Sequence, residues 1–218
     1  MAVDLQAHPA RVPIHPPESR RPAPLTGVLT DRGSRRAKTA RLRRRQCRFC
    51  EGVTLWFTGR PSAGKTTLAL ALEQQLRSEG HRVEVLDGDV LRTVLTRGLG
   101  FSREDRDESV RRAGFVASLL SRNGVTVLCA LVSPYQEARD EVRALHGDRF
   151  VEVYVSTPTE VCAERDVKGL YAKQRQGLVT GLTGVDDPYE APVAPEVVVP
   201  AHTQTIDASV KTILEVLA

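Results

Sequence analysis

The run Gly59-Arg60-Pro61-Ser62-Ala63-Gly64-Lys65-Thr66 has the order of a phosphate-binding loop. Gly59 and Gly64 let the backbone curl so that its N–H groups face a polyphosphate, Lys65 reaches the outer phosphates, and Thr66 offers a hydroxyl to magnesium. Arg60, Pro61, Ser62 and Ala63 complete the cradle, and Thr67 continues into a helix whose positive dipole end adds to the same field. These residues predict a bound nucleoside triphosphate with Mg2+. They do not say what is done with it.

A second group of residues suits an acceptor. Asp87 and Asp89, two positions apart, put two carboxylates at one strand end, where one can orient or deprotonate a hydroxyl and the other can help hold hydrated magnesium. Arg92 and Arg106 follow, with the fork geometry that binds an anion, while Arg111 and Arg112 read as exposed helix charges. Phe101, one of five phenylalanines, can stack on a base or fill core. Ser133 ends an apolar strand and can hydrogen-bond a substrate or accept a phosphoryl group; with no histidine placed to activate it, substrate contact is the preferred role. Arg165 and Lys168 can add positive charge on a transferring group.

These side chains need a scaffold, and the chain alternates apolar strands with amphipathic helices. Val53–Phe57 reads as a strand into the loop. Leu68, Leu72 and Leu76 mark one helix face closed by Gly80, and Val83–Leu86 is a strand delivering an Asp-Gly-Asp turn. A helix over about 103–122 leads to the most apolar strand, Val125–Val132, whose continuous run predicts burial on both faces. Helices over about 136–145, 158–164, 169–175 and 208–217 and strands at Val151–Val155 and Val197–Val199 continue the pattern. The expected fold is α/β, three-layered, with a mainly parallel sheet and ligands at its carboxyl edge. Residues 168–195, rich in Gly, Asp, Pro and basic residues, read as a lid that excludes water.

At 218 residues the chain holds one domain, expected over 51–218, plus a tail. Residues 1–50 carry twelve Lys/Arg against three Asp/Glu, with six prolines, and predict a disordered basic segment; the remainder carries nineteen against twenty-four. The Arg43-Arg44-Arg45 cluster suits nucleic acid, an anionic surface or an acidic partner, but a solvated tail is the preferred reading. Its prolines spoil the helix of an organelle transit signal. With neither a secretory signal nor a membrane span evident, a cytoplasmic protein is expected. Cys129 and Cys162 read as packing residues, and Cys47-Arg48-Phe49-Cys50 has metal or redox spacing without a second pair.

Taken together, residues 52–200 closely resemble the adenylylsulfate kinases (APS kinases). The resemblance rests on Val53–Gly59 into the loop, Leu86-Asp87-Gly88-Asp89, Gly100-Phe101-Ser102 with Asp105-Arg106, Ser133-Pro134-Tyr135 with Glu137–Asp140, Val153–Pro158, Arg165–Lys173 and Thr183–Glu190. It implies a P-loop kinase that uses ATP and Mg2+ to phosphorylate the 3′-hydroxyl of adenosine 5′-phosphosulfate (APS), giving PAPS and ADP, and it implies a homodimer. Arg92 and Arg106 would hold the phosphosulfate-bearing nucleotide, Phe101 would stack on its adenine, Asp87 or Asp89 would serve the 3′-hydroxyl and magnesium, and Lys168 would belong to the lid. The serine at the position of Ser133 is described in the family as a phosphoserine intermediate; direct transfer between two bound nucleotides is preferred here.

Two residues depart from the family pattern. Ser109 stands where the family has Asn, and Leu182 where it has Phe, so one face of an aromatic sandwich becomes aliphatic. They motivate the alternative of a related kinase with a different hydroxyl acceptor. A catalytically silent homologue is the other alternative. A GTPase is excluded, because its Asn-Lys-x-Asp motif is missing: Asn123, the single asparagine, precedes Gly124.

Overall fold

The computed structural model describes residues 48–217. The expectations for the Arg43–Arg45 cluster, for Cys47, for the side chain of Cys50 and for most of the 1–50 tail lie outside the described residues. Where the described chain begins, a short helix, α1 (Arg48–Glu51), carries Phe49 against the His81 ring at 5.4 Å and the edge of the core. The described helix thus includes residues 48–50, which the sequence reading assigns to the tail.

Five strands follow: β1 (Thr54–Thr58), β2 (Val83–Asp87), β3 (Thr126–Ala130), β4 (Phe150–Val155) and β5 (Val197–Val199). All pair in parallel in the order β2-β3-β1-β4-β5. β1 is central, with Leu55 opposite Leu128 on one side and Val151 on the other. Alternation along β1 explains the three layers. Leu55 and Phe57 enter one core with Leu68, Leu72 and Leu76 of α2 (Lys65–Ser78) and Ile213 of α8 (Ile206–Leu217). Trp56, pointing the other way, enters a second core with Val110, Ala113 and Ala117 of α4 (Arg103–Ser121) and Val142 of α5 (Gln136–His146). Both faces of the sheet are covered, which is why β1 and β3 read as unbroken apolar runs.

Local signals set the helix ends. Gly80 adopts φ +85°, and the His81 N–H reaches back to the Leu76 carbonyl at 3.0 Å, closing α2 as its position predicts. Ser102 caps α4 by accepting from Asp105 N–H. The structure also corrects the expected Asp-Gly-Asp turn. Asp87 is the N-cap of a short helix, α3 (Gly88–Thr93), and its carboxylate accepts from Asp89 N–H at 2.9 Å. The apolar run after residue 125 supports a shorter strand than its length suggests: pairing ends at Ala130, and residues 131–134 peel off into the cleft. Helices α6 (Thr159–Arg165) and α7 (Leu170–Arg175) complete the described chain. No helix among the described residues is long and apolar enough to cross a membrane.

Candidate active site

The carboxyl ends of β1, β2 and β3 open into one cavity of about 870 Å³. It is lined by Pro61, Ser62, Ala63, Gly64, Lys65, Thr66 and Thr67 from the loop between β1 and α2, and by Asp87, Asp89 and Arg92 from the β2–α3 junction. Phe101, Arg106, Ser109, Ser133, Lys168 and Leu182 close it. Every residue expected at the site lines this cavity except Gly59 and Arg60, at the start of the loop.

The loop owes its shape to four carbonyls held by side chains, two from within the loop and two from outside it. Lys65 Nζ donates to the carbonyls of Gly59 (2.8 Å) and Arg60 (2.7 Å), Tyr171 Oη to that of Pro61 (3.0 Å), and Thr157 Oγ1 to that of Ala63 (2.8 Å). Ser62 (φ 61°) and Gly64 (φ 108°) take the left-handed conformations that the curl demands. The sequence assigns neither Thr157 nor Tyr171 a role, because a strand-end threonine and a helix tyrosine carry no pattern of their own.

Burial pushes the Lys65 ammonium down to about 7; Lys168 adds repulsion, while Cys162, Asp87 and Asp89 oppose the shift. The unfolded chain then binds more protons than the folded one between pH 7 and the ordinary lysine value, so Lys65 costs stability at low pH and the cost fades as pH rises through that window. A triphosphate supplies the missing negative charge and restores the proton. At pH 8, binding of a nonhydrolysable ATP analogue should take up close to one proton per site, and at pH 6 close to none, read by calorimetry in buffers of different ionisation enthalpy. Uptake independent of pH would contradict the assignment.

Thr66 and Asp87 meet: Thr66 Oγ1 donates to Asp87 Oδ2 at 2.7 Å. A hydroxyl and a carboxylate oxygen this close, beside a phosphate loop, fit magnesium, which takes hard oxygen donors and relies on one or two protein ligands. The Asp89 carboxylate pairs with Lys168 across the cavity mouth, both side chains more than half exposed.

The acceptor-side groups divide in a way the sequence does not show. Arg92 lies over the Phe101 ring, 4.3 Å from its centroid, and Phe101 is 64% exposed: it belongs to the cavity rim, not the core. Burial, followed by repulsion from Arg106, lowers the Arg92 pKa. Arg106 is not free in the same way. Its guanidinium donates to Phe101 O (2.8 Å), to Gly181 O and to Thr183 Oγ1, with Asp187 at 3.3 Å. It lines the cavity and at the same time ties down the wall at residues 181–183. Leu182 is buried, held by its N–H on Asp186, and Ser109 sits one turn beyond Arg106 on α4. Arg111 and Arg112 pair outward with Glu141 and Glu108, as exposed helix charges.

Ser133 is 3% exposed and takes φ 38°. Its hydroxyl accepts from Trp56 Nε1 at 3.0 Å, so its proton is free to donate. The geometry favours substrate contact. Behind it, Arg139 Nη1 donates to Ser133 O (2.7 Å) and Nη2 to Glu190 O (2.8 Å), while Nε lies 2.8 Å from Glu152 as an ion pair lacking hydrogen-bond angles. Also unforeseen are Ala201, Gln204, Ile206 and Ser209, which line the cavity after β5. The rule that ligands sit at carboxyl strand ends applies to that strand too and could have found them.

Residues 51–200 match the adenylylsulphate kinase family. The adenylyl-sulfate kinase of Rippkaea orientalis is 56% identical over 167 residues, covering 77% of this chain and 92% of its own. The APS kinase of Mycobacterium tuberculosis, solved in complex with AMPPNP and APS, superimposes with a TM-score of 0.73 at 42% identity, over 76% of this chain and 97% of that one. A hexameric APS kinase from Thiobacillus denitrificans gives 0.60 at 36%, over 82% of this chain and 31% of that one. With the phosphate loop, the paired aspartates and the arginine-flanked phenylalanine around one cavity, and with the Rippkaea orientalis enzyme this similar over most of both chains, this chain belongs to the adenylylsulphate kinase family.

Proposed function

We propose that the chain transfers the γ-phosphoryl group of ATP to the 3′-hydroxyl of APS, giving PAPS and ADP. The observation that carries this reading is the single cavity in which a phosphate loop and the Asp89, Arg92 and Phe101 group face one another. The ATP phosphates lie on the loop amides and Lys65. Thr66 and Asp87 would hold magnesium, which would supply positive charge to the transferring phosphoryl group.

Both Asp87 oxygens are engaged, by Thr66 and by Asp89 N–H, so Asp87 suits the metal side. Asp89 then accepts the 3′-hydroxyl proton as that oxygen attacks the γ-phosphorus and the bond to the β–γ bridging oxygen breaks, releasing ADP. Phe101 stacks on the acceptor adenine with Leu182 as an apolar contact opposite, and Arg92 takes the phosphosulfate. Arg106 acts mainly through the wall it orders, and Ser109 and Ser133 contribute hydrogen bonds. Catalysis is then positioning and charge neutralisation by direct transfer, without a phosphoserine.

Residues 51–218 form one kinase domain in this reading, and 168–195 its lid. The Lys168–Asp89 pair supports closure from the 168 end, whereas 181–190 is tied down by Arg106 and Arg139 and would stay in place. A cytoplasmic homodimer is the further expectation. The hexameric relative makes sedimentation of this chain the deciding observation. For the activity, a coupled assay of purified protein with Mg·ATP should show ADP release that depends on APS and is far weaker with AMP or adenosine. No APS-dependent release at any substrate level would contradict the proposal.

A further inference from the structure

We infer that Arg60 is a positioning residue linking the two nucleotide sites, by clamping the turn at residues 181–187 against the phosphate loop. The inference rests on the donor and acceptor sides proposed above, and it concerns how one side registers the other.

Arg60 does not line the cavity; its guanidinium lies 5.2 Å from the centroid of the Tyr189 ring, with Nε buried and without a hydrogen-bond partner. Gly184 sits against it so closely that an added Cβ would fall 2.9 Å from Arg60 Cδ and 3.0 Å from Nε. Gly184 also takes φ +86°, so both the space and the backbone require glycine there. The turn is thus backed on one side by a residue of the phosphate loop.

Its other side is held by Arg106, which bonds Thr183 Oγ1 and Gly181 O and also carries Phe101 O. The turn is stiff internally: Gly184 N–H donates to Asp187 O at 2.7 Å, Val185 N–H to Leu182 O at 3.0 Å, and Gly181 N–H to the Asp186 carboxylate at 2.8 Å. A stiff turn between two arginines transmits displacement instead of absorbing it. The trigger is Lys65. Its Nζ bonds the carbonyls of Gly59 and Arg60, at 2.8 and 2.7 Å, and a triphosphate that engages the ammonium's third donor pulls on both bonds. The Arg60 peptide then shifts, and the side chain carries the shift to Gly184 and on to the acceptor wall at Leu182 and Phe101.

Proximity alone is not coupling, so the test measures coupling. Amide hydrogen exchange over 181–187 is followed in the full chain with and without Mg·AMPPNP, for the natural protein, Arg60→Ala and Gly184→Ala. The expected result is an exchange change of about fivefold or more in the natural protein, a usual size for coupled sites, falling to within about twofold in both variants. Gly184→Ala reaches the same contact from the opposite side but also strains the turn, so Arg60→Leu, which keeps side-chain bulk without the guanidinium, is read alongside it and decides the matter should either alanine variant disturb folding. An unchanged turn in the natural protein, or an undiminished response in both variants, overturns the inference. APS affinity measured with and without AMPPNP separates the two proposals: a turn that responds in a protein that does not bind APS leaves the Arg60 link standing and removes the acceptor.

Discussion

Replacing Lys65 with alanine should lower kcat/KM by about 10³-fold or more while leaving the fold in place. The estimate follows from what a preorganised donor on a transferring phosphoryl group contributes in a water-excluded site. Lys65 is the cation closest to hand: it is buried, it is bonded to the carbonyls of Gly59 and Arg60, and a triphosphate on the loop amides is the natural new partner for its ammonium. Steady-state kinetics with a circular-dichroism melt measures the effect. Turnover within tenfold of the natural protein in a folded Lys65→Ala variant would remove the phosphate loop from the mechanism.

The largest effect on stability should come from Arg139→Met. Arg139 and Glu152 are 1% and 2% exposed and 2.8 Å apart, and Arg139 also satisfies the carbonyls of Ser133 and Glu190. Removing one partner of such a pair typically costs about 3–5 kcal/mol, because the other charge stays buried. In a domain of this size that lowers Tm by on the order of 10 °C. Glu152 keeps Arg143 at 3.1 Å, which moderates the loss, but the two carbonyls are orphaned. Arg139→Met combined with Glu152→Leu should then be less destabilised than the sum of the singles, since the second change removes the stranded charge. A thermal melt of the three variants decides it, and strict additivity would show that the pair is not coupled.

Much of this architecture was open to sequence reasoning where a pattern has a physical period. The leucines at 68, 72 and 76 had to share a helix face, and the unbroken apolar run at 125–132 had to be covered twice; Leu128 and Ala130 enter one core and Val127 and Cys129 the other. The site was legible where a residue type can do little else, as with Lys65 behind two glycines. It was less legible where function depends on a partner far along the chain. Arg106 looked like an anion ligand, and only its contacts with Gly181 and Thr183, 75 and 77 residues away, show that it orders a wall. Arg139 looked like one more polar-helix residue, since nothing local distinguishes a buried guanidinium from an exposed one. The short helix α3 was hidden because Asp-Gly-Asp suits a turn and an N-cap equally.

Transfer between two nucleotides held in one cavity leaves its mark in the product. With ATP, Mg2+ and APS, phosphorus NMR of the reaction mixture should show a new 3′-phosphomonoester on the acceptor appearing in equal amount with ADP. ADP formed without that phosphomonoester, or a phosphoryl group found on a different hydroxyl, would contradict the account.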